Sequence, residues 1–99
     1  MTEETRRQKR RQKLARNPKN VRFEDVRQLL EAYGFELKRT KGSHHSFVGS
    51  IGSERVTVVI PFRRPLKEIY VKRVLAILDE IEPLDEINER DKDETEDDE

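Results

Sequence analysis

The stretch Lys41-Gly42-Ser43-His44-His45-Ser46-Phe47 holds both histidines of the 99-residue chain. An imidazole with an ordinary pKa of about 6.5 can give or take a proton near neutral pH. Gly42 tolerates a positive φ, so a tight turn costs little there. On a strand leaving that turn the side chains alternate. His45 and Phe47 then fall on one face, and His44, Ser46 and Val48 on the other. With Lys41 before them and the hydroxyls of Ser43 and Ser46 on either side, these residues fit a proton-transfer site at the mouth of a strand. They also fit two surface histidines in a polar turn, and on composition alone that second reading is the better one.

Other chemistries ask for residues the chain does not supply. A zinc site needs three or four ligands at set spacing, and adjacent histidines on a strand point apart, so no metal is expected. There is no cysteine, hence no thiolate nucleophile and no disulfide, which fits a reducing compartment such as the cytoplasm. No GxxxxGK[ST] phosphate loop occurs, and nothing places a third member of a triad with Ser43 or Ser46. Metal-free RNA cleavage demands less. The substrate's own 2′-hydroxyl is the nucleophile, and the protein supplies a base or acid, cations and geometry. One histidine beside Lys41, with Arg63, Arg64 and Lys67 on a later connector, would meet that demand without a cofactor.

The elements that must position these groups are legible from periodicity. Phe23, Val26, Leu29, Leu30 and Tyr33 recur at helical spacing, with Asn20 as the expected N-cap and Gly34 as the stop. Phe35–Thr40 alternates, then loses the pattern at Arg39, and reads as a strand. Ser46–Ser50 is a second strand, and 49–53 a hairpin loop with two glycines. Arg55–Ile60 is a third strand with Val56, Val58 and Ile60 on one face, ended by Pro61. After the basic connector 62–67, Ile69–Ile81 returns to helical spacing and Pro83 closes it. The order α-β-β-β-α predicts an α+β domain, with three antiparallel strands packed on two helices. The core is expected to hold Phe23, Leu29, Leu30, Phe35, Leu37, Val56, Val58, Val71, Val74, Leu75 and Leu78.

Charge is unevenly spread. Residues 1–20 carry a net charge of +6, residues 21–78 of +5 and residues 79–99 of −11, which cancel to zero. A basic body attracts phosphate backbones. Glu3–Arg16 has strong helix formers, but Leu14 and Ala15 are its only apolar residues. It is therefore expected to be a solvated, fraying helix or a disordered arm; the alternative is a basic arm that grips RNA or DNA phosphates. Three segments follow: a basic N-terminal helix or arm (1–20), the compact domain (21–83) and an acidic tail (84–99) expected to be disordered. The charged N-terminus is not a secretory signal, and no apolar run approaches ~20 residues, so no membrane association is expected.

Gly34-Phe35, the Lys41–Phe47 element and Val56-Thr57-Val58 leading into Ile60-Pro61 resemble the HicA-type toxins over about residues 22–81. Those are small mRNA interferases of toxin–antitoxin pairs with a double-stranded-RNA-binding-like α-β-β-β-α fold. The resemblance implies cofactor-independent RNA cleavage and a HicB-type antitoxin partner. It maps the family's catalytic histidine onto His44. Lys41, Ser43, His45, Arg63, Arg64, Lys67, Lys72 and Arg73 are then the candidate RNA contacts. Where such toxins often carry a Pro-His or Pro-x-His step, this chain has Pro61-Phe62-Arg63-Arg64.

Overall fold

The computed structural model describes residues 3–83. Its elements are α1 (Glu3–Arg16), a 3-10 turn (Pro18–Asn20), α2 (Phe23–Ala32), β1 (Glu36–Lys41), β2 (His44–Ile51), β3 (Glu54–Pro61) and α3 (Glu68–Ile81). The strands form one antiparallel sheet in the order β1-β2-β3. From α2 through α3 this is the expected α-β-β-β-α arrangement. The acidic segment 84–99 lies outside the described residues.

The helices bury the stripes their spacing dictates. Phe23, Val26, Leu29 and Leu30 from α2 and Val71, Val74 and Leu78 from α3 meet Phe47, Val58 and Ile60 of the sheet in one core. Leu37, Val56 and Leu75, expected inside, are only half-buried at its rim. Val21 and Leu66 are also buried, and the Leu66 N–H donates to Val21 O at 3.0 Å, tying the connector to the entry of α2. Asn20 is not the cap of α2. It belongs to the 3-10 turn, and α2 starts three residues later, where the Asp25 carboxylate accepts the Arg22 N–H at 3.2 Å. Gly34 does end the helix, at φ +90°.

Helix α1 contradicts the expectation of a free arm. Leu14 is 8% exposed and Arg11 only 2%. The Arg11 guanidinium donates through Nη1 to Leu78 O at 3.0 Å and to the Tyr33 hydroxyl at 3.2 Å. Arg7 makes a two-pronged bond to Glu82, with both N···O distances 3.0 Å, and both guanidinium groups lie over the Tyr33 ring. A cation at the last turn of α3 also complements the negative end of that helix dipole. So α1 docks through the buried Arg11 and the half-buried Arg7, with Leu14 as its one buried apolar residue, rather than through an apolar stripe. Burial pushes the Tyr33 hydroxyl up to about 12, an effect reinforced by the nearby Glu82 carboxylate.

The sheet differs from expectation in two places. The β2–β3 connection is the two-residue turn Gly52-Ser53, not a five-residue loop, and Gly49 pairs with Val56 inside the ladder. A Cβ on Gly49 would stand 2.6 Å from Cγ of Phe35, so the glycine makes room for that buried ring. In β1 the register slips between Leu37 and Arg39. This bulge at Lys38 explains the lost alternation. Without it Arg39 and Lys41 would face the core; with it they join the outer face, opposite Ser46 and His44.

Candidate functional site at the first hairpin

The turn between β1 and β2 is Gly42-Ser43, with Gly42 at φ +60°. Glycine at the first turn position is the pattern that matches the twist of a two-residue hairpin. Strand β2 therefore begins at His44, two residues earlier than periodicity suggests, and both histidines lie on the strand rather than in a turn.

Their environments differ. His45 faces the helices and is half-buried. Its ring lies 4.7 Å from the Phe23 ring and 6.3 Å from that of Phe62, centroid to centroid. Its Nδ1 is 3.0 Å from the Ser43 carbonyl oxygen. The same carbonyl accepts the Phe62 N–H at 2.7 Å. One backbone oxygen thus orients the imidazole and anchors the start of the connector. His44 is exposed on the outer face, across from Lys41 on β1 and Pro61 on β3. The two rings cannot address one reacting atom from opposite faces.

The structure gathers Lys41, Ser43, His44 and His45 at this hairpin, and the bond from Phe62 brings the connector to it. Arg63, Arg64 and Lys67 on that connector are exposed, and the Arg64 guanidinium lies 5.6 Å from the Phe62 ring centroid. Lys72 and Arg73 stand further along α3. Lys72 pairs with Glu68 at 3.1 Å, and Arg73 lies over the Tyr70 ring. No hydrogen bond, ion pair or ring contact links either of them to the histidines. Periodicity and charge pass over Phe62, which reads as part of a basic connector. The available signal is an aromatic directly after the strand-ending Pro61 and before two arginines.

Among the described residues no group of three or more His or carboxylate side chains could hold a metal ion. No described helix is long and apolar enough to cross a membrane. No curated protein and no solved structure matches the chain. A family model, "HicA toxin of bacterial toxin-antitoxin", matches residues 23–81, which spans α2 through α3. That match covers more than half of the chain, which therefore belongs to the HicA toxin family of bacterial toxin–antitoxin systems, a membership that implies an antitoxin partner.

Proposed function

We propose that this toxin is an mRNA endonuclease acting in the cytoplasm, that it cuts without a metal or cofactor, and that His45 carries the proton. The observation behind this reading is the bond between His45 Nδ1 and Ser43 O. A carbonyl oxygen only accepts, so Nδ1 holds the proton and Nε2 keeps its lone pair. A ring held with Nε2 as its free acceptor is suited to act as a base. The role that the resemblance gives to His44 therefore passes to its neighbour. His44, beside Lys41 on the outer face, contacts the RNA backbone instead.

In this mechanism His45 Nε2 takes the proton of the substrate's 2′-hydroxyl. The 2′-oxygen attacks the adjacent phosphorus and the bond to the 5′-oxygen breaks. The leaving 5′-oxygen takes a proton from solvent and His45 returns its own to solvent, giving a 2′,3′-cyclic phosphate and a 5′-hydroxyl. Arg63, Arg64 and Lys67 stabilise the charge that builds on the phosphoryl oxygens, and the Ser43 hydroxyl helps place them. Lys72 and Arg73 extend the backbone contacts along α3. The antitoxin partner is a HicB-type protein. RNA incubated with purified chain in the presence of a chelator is the test: cleavage that disappears in His45→Ala supports the reading. Binding without cleavage by the parent chain would leave a non-catalytic RNA-binding module on the same fold.

A further inference from the structure

Phe62 is 39% exposed although it stands beside a hydrophobic core. Its position is fixed from two sides. Its N–H is bonded to Ser43 O, and its ring meets the buried Phe23 ring edge-on, at 5.2 Å and 69°. The ring is thus held in place while much of its surface faces solvent. Arg64 lies over that ring at 5.6 Å, and Arg63 is exposed next to it. The centroid of His45 is 6.3 Å away. A fixed, exposed aromatic ring flanked by cations is what a nucleobase stacks on.

We infer that Phe62 is a stacking platform for one unpaired nucleobase next to the scissile phosphate, and that the site therefore takes single-stranded RNA. A base inside a duplex is paired and stacked on both faces, so it has no face to offer this ring. Arg64, an exposed side chain lying over the ring, swings off it when a base stacks there and holds the neighbouring phosphate. The inference deepens the endonuclease reading and rests on it for the identity of the neighbouring phosphate. It also assigns a preference that a fold resembling double-stranded-RNA-binding domains would not by itself suggest.

The chain has no tryptophan, so Phe62→Trp introduces a single indole reporter. The variant is made on the His45→Ala background, which keeps the RNA whole. It is titrated with a short single-stranded oligoribonucleotide and with the blunt duplex of the same strand. Saturable quenching by the single strand, with little response to the duplex, is expected. Phe62→Ala and Phe62→Leu should each weaken single-strand binding by about 5- to 150-fold, the range for removal of one base–aromatic stack, and leave duplex binding unchanged. Leucine keeps an apolar side chain against Phe23, so a loss shared by both variants points to stacking rather than to packing. Equal single-strand affinity of parent and Phe62→Ala, or equal quenching by duplex and single strand, overturns the inference. These are binding measurements. If the parent chain proves unable to cut RNA, the endonuclease reading fails while the platform can still be demonstrated.

Discussion

The carbonyl oxygen of Ser43 lies 3.0 Å from Nδ1 of His45, two residues further along the same hairpin. The polar half of that ring's support follows from the turn. Gly42 at positive φ lets Ser43 lie at the bend, and Ser43 O then serves both His45 and the N–H of Phe62. The aromatic packing of Phe23 completes the ring's support.

Arg11 is the residue that makes α1 part of the domain. Truncating it to alanine leaves Leu78 O without its guanidinium donor and removes one bond to Tyr33. Hydrogen bonds to a charged group are worth about 1.5–3 kcal/mol each, so losing these two in Arg11→Ala should lower stability by roughly 3–6 kcal/mol in urea unfolding. Arg6→Ala, one of the exposed cations of the same helix, should change it by less than about 0.5 kcal/mol. Equal effects would mean that α1 does not dock through Arg11.

Tyr33 gives the stability a dependence on alkaline pH. Its hydroxyl ionises near 10 in an unfolded chain and at about 12 when folded. The folded state holds that proton more tightly, so the stabilisation is complete below pH 10 and is lost as pH rises to about 12. The ring is only partly buried, and solvent screening keeps the effect modest. Melting curves of the parent and Tyr33→Phe should therefore differ below pH 10 and converge between pH 10 and 12. A constant difference across that window would contradict the assignment.

Gly49→Ala would place a methyl group against the Phe35 ring, 2.6 Å from Cγ and 2.7 Å from each Cδ. Overpacking of this kind typically destabilises by about 1–3 kcal/mol. Shrinking the neighbour should relieve it, so Gly49→Ala combined with Phe35→Leu should be more stable than the sum of the two single effects. Strict additivity in denaturant unfolding would show that the strand backbone, not the ring, sets the requirement for glycine.

The outward side of α1 carries Arg6, Lys9, Arg10, Lys13 and Arg16, all exposed and none paired with a carboxylate among the described residues. A docked helix holds these charges at fixed positions, and we extend the proposed RNA footprint to them. Replacing all five with glutamine should make the plot of log affinity against log salt for single-stranded RNA shallower, by about 0.7 for each phosphate no longer neutralised. An unchanged slope would remove α1 from the RNA footprint.

Much of the fold is legible in the sequence because the elements obey their periods. The stripe from Phe23 to Tyr33, the alternation through Val58 and Ile60, and glycines at 34 and 42 lead to the observed order and first turn. The rest is held by interactions that no local pattern encodes. Arginines on α1 read as solvated charge, yet Arg7 and Arg11 are the anchors, because their partners Glu82 and Leu78 are some 70 residues away. Gly49 reads as part of a turn, since a glycine gives no local sign that a ring from β1's entry will fill its space. Alternation does separate His44 from His45. Which of the two is oriented depends on the Ser43 carbonyl and on Phe23, and neither is visible as a pattern.

The proposal that His45, held at Nδ1 by Ser43, transfers the proton in a metal-free cut is tested most directly by one measurement. This is cleavage of a single-stranded RNA in excess chelator by the parent chain, His45→Ala and His44→Ala, with each chain's RNA binding measured in parallel. The parent should give a cyclic-phosphate product. His45→Ala should cut about 100-fold or more slowly at near-parent affinity, as loss of a general base dictates. His44→Ala should retain most of the parent rate. A His44→Ala chain that cannot cut beside a His45→Ala chain that can, or a parent chain that cuts only when a divalent ion is restored, would contradict it.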